Sequence, residues 1–362
     1  MKKLYDVNII GQYSPNVESF FSVLHRLSII HGVSITELLT FSIHHVNKRK
    51  TGYLHSSYSH RFHDLALLVR PNDTTRKLVD IVSLVTQNKT LRSTTFLALD
   101  EILDNSRKAF INKIKWCPIC FYEFEQLGLD GYYKLIWSLK DVESCFIHNV
   151  RLVNKCHFCN SYQSTSGKRV PAIKCQNCEL SLSLPLNEIT IDDSWHMCDE
   201  GFLDLVQEIA SNPNLTYPRK GIQNFVRSIF QHSFENNHEE RLAQMICDDD
   251  SLRIISQNKP VTMITLRRLA YRLGLRLTYL LKGDTHYLQY SLNPDWETIY
   301  SDNLKPIPKI KHNHQHIFNE LVEMKNSSKK FDSLKEICEE LNVSSGYLYY
   351  RFPQLLAEVR NK

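Results

Sequence analysis

A run of paired cysteines lies between residues 117 and 178 and limits the folds open to this chain. Cys117 and Cys120 form C-P-I-C. After 24 residues come Cys145 and His148 in C-F-I-H, after seven more Cys156 and Cys159 in C-H-F-C, and after another fifteen Cys175 and Cys178. Four chelating pairs at one spacing supply ligands for two tetrahedral sites, one of three cysteines and a histidine, the other of four cysteines. The turn in such a pair lets both side chains reach one ion at about 2.3 Å while nearby amides donate to the sulfurs. Zinc has no geometric preference of its own and is the expected ion, two per chain, and four protein ligands at each leave no place for a substrate. The second set, C-x2-C-x15-C-x2-C, has zinc-ribbon spacing and favours sequential pairing. A cross-braced pairing, with the first and third pairs sharing an ion, stays open. A redox C-x-x-C would need one pair only, and an iron–sulfur cluster suits neither the histidine nor the long spacings. Cys198 is a spare near His196, while Cys247 and Cys338 lie in helical patterns and read as small core residues.

The surroundings agree with metal binding. Met1 to Gly11 has two lysines but no apolar core or cleavage site of a signal peptide, and no apolar run nears the roughly 18–20 residues of a membrane span. A cytoplasmic, reducing location without membrane contact is expected, where clustered cysteines hold metals rather than form disulfides. The length of 362 residues suits two or three domains. Gly and Pro, 11 and 12 residues, are sparse, which favours helices over a sandwich with Gly-rich turns.

Helical spacing of apolar residues fills most of the rest. Ser14, with Pro15 at the first helical position, is expected to cap a helix carrying Phe20, Phe21, Val23, Leu24 and Leu27. Ser34 and Glu37 form a capping box ahead of Leu38, Leu39 and Ile43. Further stripes are Leu78, Ile81, Val82, Val85; Leu99, Ile102, Leu103; and Phe202, Leu205, Val206, Ile209. The fold class expected is mainly α, in four parts: an N-terminal helical domain over 1–112, a tandem zinc-finger or zinc-ribbon module with short strands over 113–198, a helical region with a first helix-turn-helix over 199–290, and a linker with a C-terminal helix-turn-helix over 291–362.

The net charge of +5 decides little in bulk, but its distribution is uneven. Between Val261 and Gly283 lie Arg267, Arg268, Arg272, Arg276 and Lys282 with no acid, on a segment where Ala270 and Gly274 suit the turn of a helical hairpin. Five positive charges on two short helices suit contact with DNA phosphates. The second segment starts at a Ser333–Glu336 capping box, turns at Asn342, which tolerates the left-handed conformation, and continues into a helix capped by Ser344 or Ser345. In a helix-turn-helix this second helix would enter the major groove, presenting Ser344, Ser345, Tyr347, Tyr349 and Arg351 to backbone and bases.

The order of these motifs resembles the TniQ/TnsD family of transposition proteins. The resemblance rests on W-C-P-I-C from Trp116, the aromatic stretch Tyr132, Tyr133 and Trp137, C-F-I-H-N-V-R-L from Cys145 and C-H-F-C from Cys156. It also rests on E-S-F-F-S-V-L-H-R-L, Glu18 to Leu27, and on L-Y-Y-R-F-P-Q-L, Leu348 to Leu355. The resemblance implies an adaptor, not an enzyme, that marks the insertion site of a cut-and-paste transposon and recruits a TnsC-like AAA+ ATPase and the transposase. It implies recognition either by direct binding of attachment-site double-stranded DNA or by riding on a CRISPR Cascade ribonucleoprotein, sometimes as a homodimer. A zinc-containing helix-turn-helix transcription regulator is the alternative. No acidic catalytic motif, P-loop or nucleophile–base pair is apparent.

Overall fold

Short helices joined by tight turns build the protein, and sheet pairing is reduced to isolated antiparallel bridges among the described residues. The computed structural model describes residues 4–47, 68–103, 109–163, 169–185, 189, 197–222, 224–225, 263, 266, 270, 275–284, 286, 313–327, 331, 333–343 and 345–360. The chain divides into two compact units, Met1–Tyr217 and Pro218–Lys362.

In the first unit, α1 (Phe20–His31) is capped by Ser19, whose hydroxyl accepts from the Ser22 amide at 3.3 Å. Ser14 does not cap it. Its hydroxyl donates to the Gly11 carbonyl at 2.8 Å and accepts from the Asn16 amide, so Ser14 and Pro15 sit in a turn that precedes the helix. A serine satisfied by its own turn is not available to a helix end, and Ser19 takes that place. Gly32, left-handed at φ 64°, ends α1, and the expected box then starts α2 (Ile35–Asn47): the Glu37 amide donates to the Ser34 hydroxyl at 3.1 Å and the Ser34 amide to the Glu37 carboxylate at 2.7 Å. Asn72 caps α3 (Asp73–Thr86). Leu24, Leu27, Leu39, Leu78, Ile81 and Val82 are buried among these helices. Each such side chain contributes about 1.5–3 kcal/mol against staying exposed.

Leu99, Ile102 and Leu103 are buried as expected, but on 3-10 and simple turns after Leu91–Thr94 rather than on an α-helix. Next come α4 (Pro118–Gln126), a 3-10 turn at Leu135–Ser138 and α5 (Met197–Ser211), whose Phe202, Leu205 and Val206 are fully buried. Together α1 and α2 are apolar, yet the chain bends by 92° between them, and no single helix among the described residues is long and apolar enough to cross a membrane.

A polar network runs through this core. Glu18 is fully buried; its carboxylate meets Arg26 at 2.6 Å, the Ser22 hydroxyl at 2.9 Å and the Ile10 amide at 3.3 Å. Burial pushes the Glu18 carboxyl up, and Arg26 opposes that shift. The Ser22 hydroxyl also accepts from the Tyr133 amide at 3.0 Å, and the Ser19 amide donates to the Tyr133 carbonyl at 2.9 Å. These bonds fix α1 against the segment that carries the first metal-ligand cluster.

In the second unit, α6 (Leu277–Lys282) ends at Gly283, which is left-handed at φ 73° and lies so close to Gly221 that an added Cβ would sit 2.6 Å from its backbone. Helix α7 (His314–Asn326) is followed by α8 (Leu334–Glu340), α9 (Ser345–Arg351) and α10 (Pro353–Arg360). Ser333 caps α8 by accepting from the Glu336 amide at 3.3 Å. Asn342 takes the left-handed turn position at φ 50°, and Val343 is buried after it. Helix α8, a turn and helix α9 follow in the order of a helix-turn-helix, packed on a core of Ile317, Leu321, Ile337, Leu341, Leu348 and Leu356.

Candidate metal centres

The eight ligands predicted from spacing come together as two sets: Cys117, Cys120, Cys145 and His148 in one, and Cys156, Cys159, Cys175 and Cys178 in the other. The sets are sequential, not cross-braced. In the first, Cys117 is the N-cap of α4 and Pro118 its first residue, so the turn of C-P-I-C is the start of a helix. The Cys120 amide points at the Cys117 sulfur, 3.4 Å away.

The other three pairs share one backbone device. At Cys145, Cys156 and Cys175 the cysteine amide donates to the carbonyl five residues on (Val150, Ser161, Leu180) at 2.8–3.0 Å. Its carbonyl accepts from the amide four residues on (Asn149, Asn160, Glu179) at 2.8–2.9 Å. That fourth residue is left-handed each time, with φ of 51°, 56° and 63°. Asn accepts this conformation readily; Glu does not.

The distances fit one ion per set. Metal–sulfur bonds of about 2.3 Å and metal–nitrogen bonds of about 2.0–2.1 Å give tetrahedral edges near ~3.8 Å between sulfurs and ~3.6 Å between sulfur and nitrogen. The Cys120 and Cys145 sulfurs are 3.8 Å apart, and His148 Nδ1 lies 3.5, 3.4 and 3.7 Å from the sulfurs of Cys117, Cys120 and Cys145. In the second set, Cys156–Cys178 and Cys159–Cys175 measure 3.8 and 3.6 Å. Both donor sets therefore suit a tetrahedral, thiophilic ion with all four positions filled by protein.

Thiols packed this closely disturb one another. Contacts with Cys120 and Cys145 push the Cys117 thiol far up, while contacts with Cys117 and Cys120 hold Cys145 far below the ordinary thiol range. A bound cation removes the conflict by stabilising every thiolate at once.

Outer contacts are specific. His148 turns Nδ1 to the sulfurs and Nε2 to the Glu123 carboxylate, 3.0 Å away, which fixes the ring and its tautomer. The Gln163 amide nitrogen lies 3.5 Å from the Cys175 sulfur and its oxygen accepts from the Gln176 amide at 2.9 Å. Around the first set, Trp116 stacks on Phe121 and donates its indole N–H to the Leu182 carbonyl at 3.2 Å. Glu123 was missed by spacing rules, although a carboxylate one helical turn after Cys120 is a local signal for it.

The residues expected to touch DNA are placed less completely. Arg267, Arg268, Arg272 and Ser344 lie outside the described residues. Arg276 and Lys282 are exposed at the two ends of α6, and the Arg276 guanidinium lies 6.0 Å from the Tyr279 ring. Ser345, Tyr347, Tyr349 and Arg351 are half-buried on α9. Two of these hydroxyls are engaged within the fold: Tyr347 meets His314 Nδ1 at 2.5 Å, and Tyr349 accepts from Arg360 at 2.8 Å. Near the second set, the exposed Lys113 and Lys155 hold their ammonium groups 5.2 and 5.0 Å from the ring of Tyr162.

Residues 10–152 match the family model described as TniQ. No curated protein matches the chain.

Proposed function

We propose that this TniQ-domain chain is a non-enzymatic adaptor that selects the insertion site of a DNA transposon and passes it to a TnsC-like AAA+ ATPase and, through it, to the transposase. The observation that carries this reading is the extent of the TniQ match. Residues 10–152 run from the buried Glu18 network through α1 to α3 and end just after the first metal set. The matched segment and the metal-braced core are one piece of structure, as a partner-docking platform requires. Both ligand sets are closed by four protein donors, which suits a structural role and leaves no position for activating water. The ions are zinc, chosen by thiolate-rich tetrahedral ligands.

The helix-turn-helix at α8 and α9 favours direct contact with duplex DNA, with Arg276, Lys282, Arg351 and Ser345 as contacts and Arg267, Arg268, Arg272 and Ser344 completing the set. Tyr347 and Tyr349 contribute ring surface, since their hydroxyls already have partners. Two binding experiments test the reading. The ATPase should be retained by the immobilised chain in the presence of nucleotide, and no retention would remove the adaptor role. Low-salt mobility shifts with an attachment-site duplex, beside capture of a Cascade complex, separate the two routes to a target. Binding to Cascade without any duplex affinity would refute direct readout.

A further inference from the structure

We infer that Lys134 is the built-in counter-charge of the first metal centre, making that centre electrically and chemically unlike the second. The inference rests on reading the Cys117–Cys120–Cys145–His148 set as a metal site.

Lys134 is 3% exposed. A lysine so deeply buried needs an anion, because an ammonium removed from water without one is strongly disfavoured. No carboxylate is paired with it among the described residues. Glu18, whose backbone bridges to that of Lys134, directs its own carboxylate to Arg26, Ser22 and the Ile10 amide. Instead the Lys134 Nζ donates to the Cys120 sulfur at 3.4 Å and lies over the rings of Trp137 and Phe146, 5.3 and 5.5 Å from their centroids.

A divalent ion held by three thiolates and a neutral imidazole carries one net negative charge. Lys134 supplies one positive charge beside it, and two aromatic faces favour the cation where water is excluded. Burial of the lysine and loading of the site therefore support each other. The second set gives a divalent ion two net negative charges. Its sulfur donors include the Gln163 side-chain amide and the Asn177 backbone amide, both neutral. Its residues are also less buried: Cys159 and Cys178 are partly exposed, whereas all three cysteines of the first set are buried. The anionic, more open second set should give up thiolate electrons to an electrophile first.

Position in the fold explains why this lysine can reach the sulfur. Lys134 immediately precedes the 3-10 turn Leu135–Ser138, whose first amide donates to the Val17 carbonyl at 2.8 Å. The segment just before α1 thus anchors the residue that neutralises the centre.

The test uses the full chain loaded with zinc. Lys134→Met keeps the stem and removes the charge; Lys134→Arg keeps the charge. Metal content is measured first, and a wild-type protein holding fewer than two ions would sink the metal reading itself. With two ions present, competition against a chromophoric chelator should show the first site weakened about 10–100-fold in Lys134→Met and the second unchanged. In cobalt-substituted protein the same variant should shift the sulfur-to-metal charge-transfer band of the three-cysteine site, with Lys134→Arg closer to wild type. Unchanged first-site affinity in Lys134→Met would overturn the inference, since methionine fills the space as well as lysine does. Should the variants fail to fold, wild-type protein still decides: mass-mapped alkylation by N-ethylmaleimide should modify the second set before the first. Reaction of Cys117, Cys120 or Cys145 first would overturn it equally.

Discussion

His25 should make the first unit sensitive to acid in a defined pH window. It lies on α1, 4% exposed, with Nε2 buried and without a hydrogen-bond partner and the ring 6.2 Å from that of Phe21. Burial holds the imidazole down to about 4 from 6.5, and the Asp130 carboxylate only partly opposes this. The folded pKa is depressed, so between pH 6.5 and 4 the unfolded chain binds the proton that the folded chain refuses. The stability due to a neutral His25 is fully present above pH 6.5 and is lost as pH falls toward 4. Over the full window the loss is about 3.4 kcal/mol, at about 1.36 kcal/mol per pKa unit; between pH 7.5 and 4.5 it is about 2.5 kcal/mol. The perturbation is His25→Gln, which cannot titrate. Unfolding of wild type and variant is followed at each pH, so acid effects on the metal sets, common to both, cancel in the difference. The wild type should lose about 2.5 kcal/mol relative to the variant across that range. A histidine NMR titration, with the His25 signal among 16 identified by its absence from the variant, gives the pKa directly. A ring titrating above about 6, or superimposable pH profiles, would refute the desolvation argument.

Four further outcomes follow from geometry. Glu123→Gln removes the anionic partner of His148 Nε2 and should weaken metal binding at the first set about 10-fold or more while sparing the second, read by chelator competition; equal weakening of both would contradict the assignment. Full chelation should release two ions per chain and collapse the packing around Trp116 and Trp137, seen in near-ultraviolet circular dichroism; fewer than about 1.5 ions per fully loaded chain would rule out two sites. Glu179→Asn relieves a left-handed glutamate in the third C-x-x-C turn and should raise stability by about 0.5–1 kcal/mol, whereas Gly283→Ala, placing a methyl against the Gly221 backbone at a positive φ, should lower it by at least about 1–2 kcal/mol; thermal unfolding reads both.

What was legible in the sequence was local. The C-x-x-C and C-x-x-H pairs were readable because each is one turn of backbone, and the helix caps at Ser34 and Ser333 because each closes within three residues. Asn342 was readable because few residues enter the left-handed region cheaply. Ser14 misled because two serines, Ser14 and Ser19, both precede the helix, and only the fold decides which one its own turn consumes. The Leu99, Ile102, Leu103 stripe was right about burial and wrong about the helix, since 3-10 turns bury residues at nearly the same spacing. Tyr133–Ser22, across 111 residues, and Lys134–Cys120 left no mark in periodicity, because neither spacing nor composition encodes a pairing between distant segments.

Those distant pairings change how the two metal sets relate to the helices. The first set is tied to α1 through Tyr133 and Ser22, and through Leu135 and Val17, and the TniQ match stops at residue 152, directly after it. The second set lies beyond the match and joins the same unit through contacts such as the Tyr133 hydroxyl to the Ala172 carbonyl and the Leu184 amide to the Pro118 carbonyl. An ion held by the first set would therefore support the helical core itself, where Glu18 and Lys134 are buried and depend on fixed partners. An ion held by the second set would brace that core at its edge. If the helical core is the surface that meets the ATPase, the first ion bears on recruitment and the second on whatever the ribbon touches, and selective loss of each should separate the two.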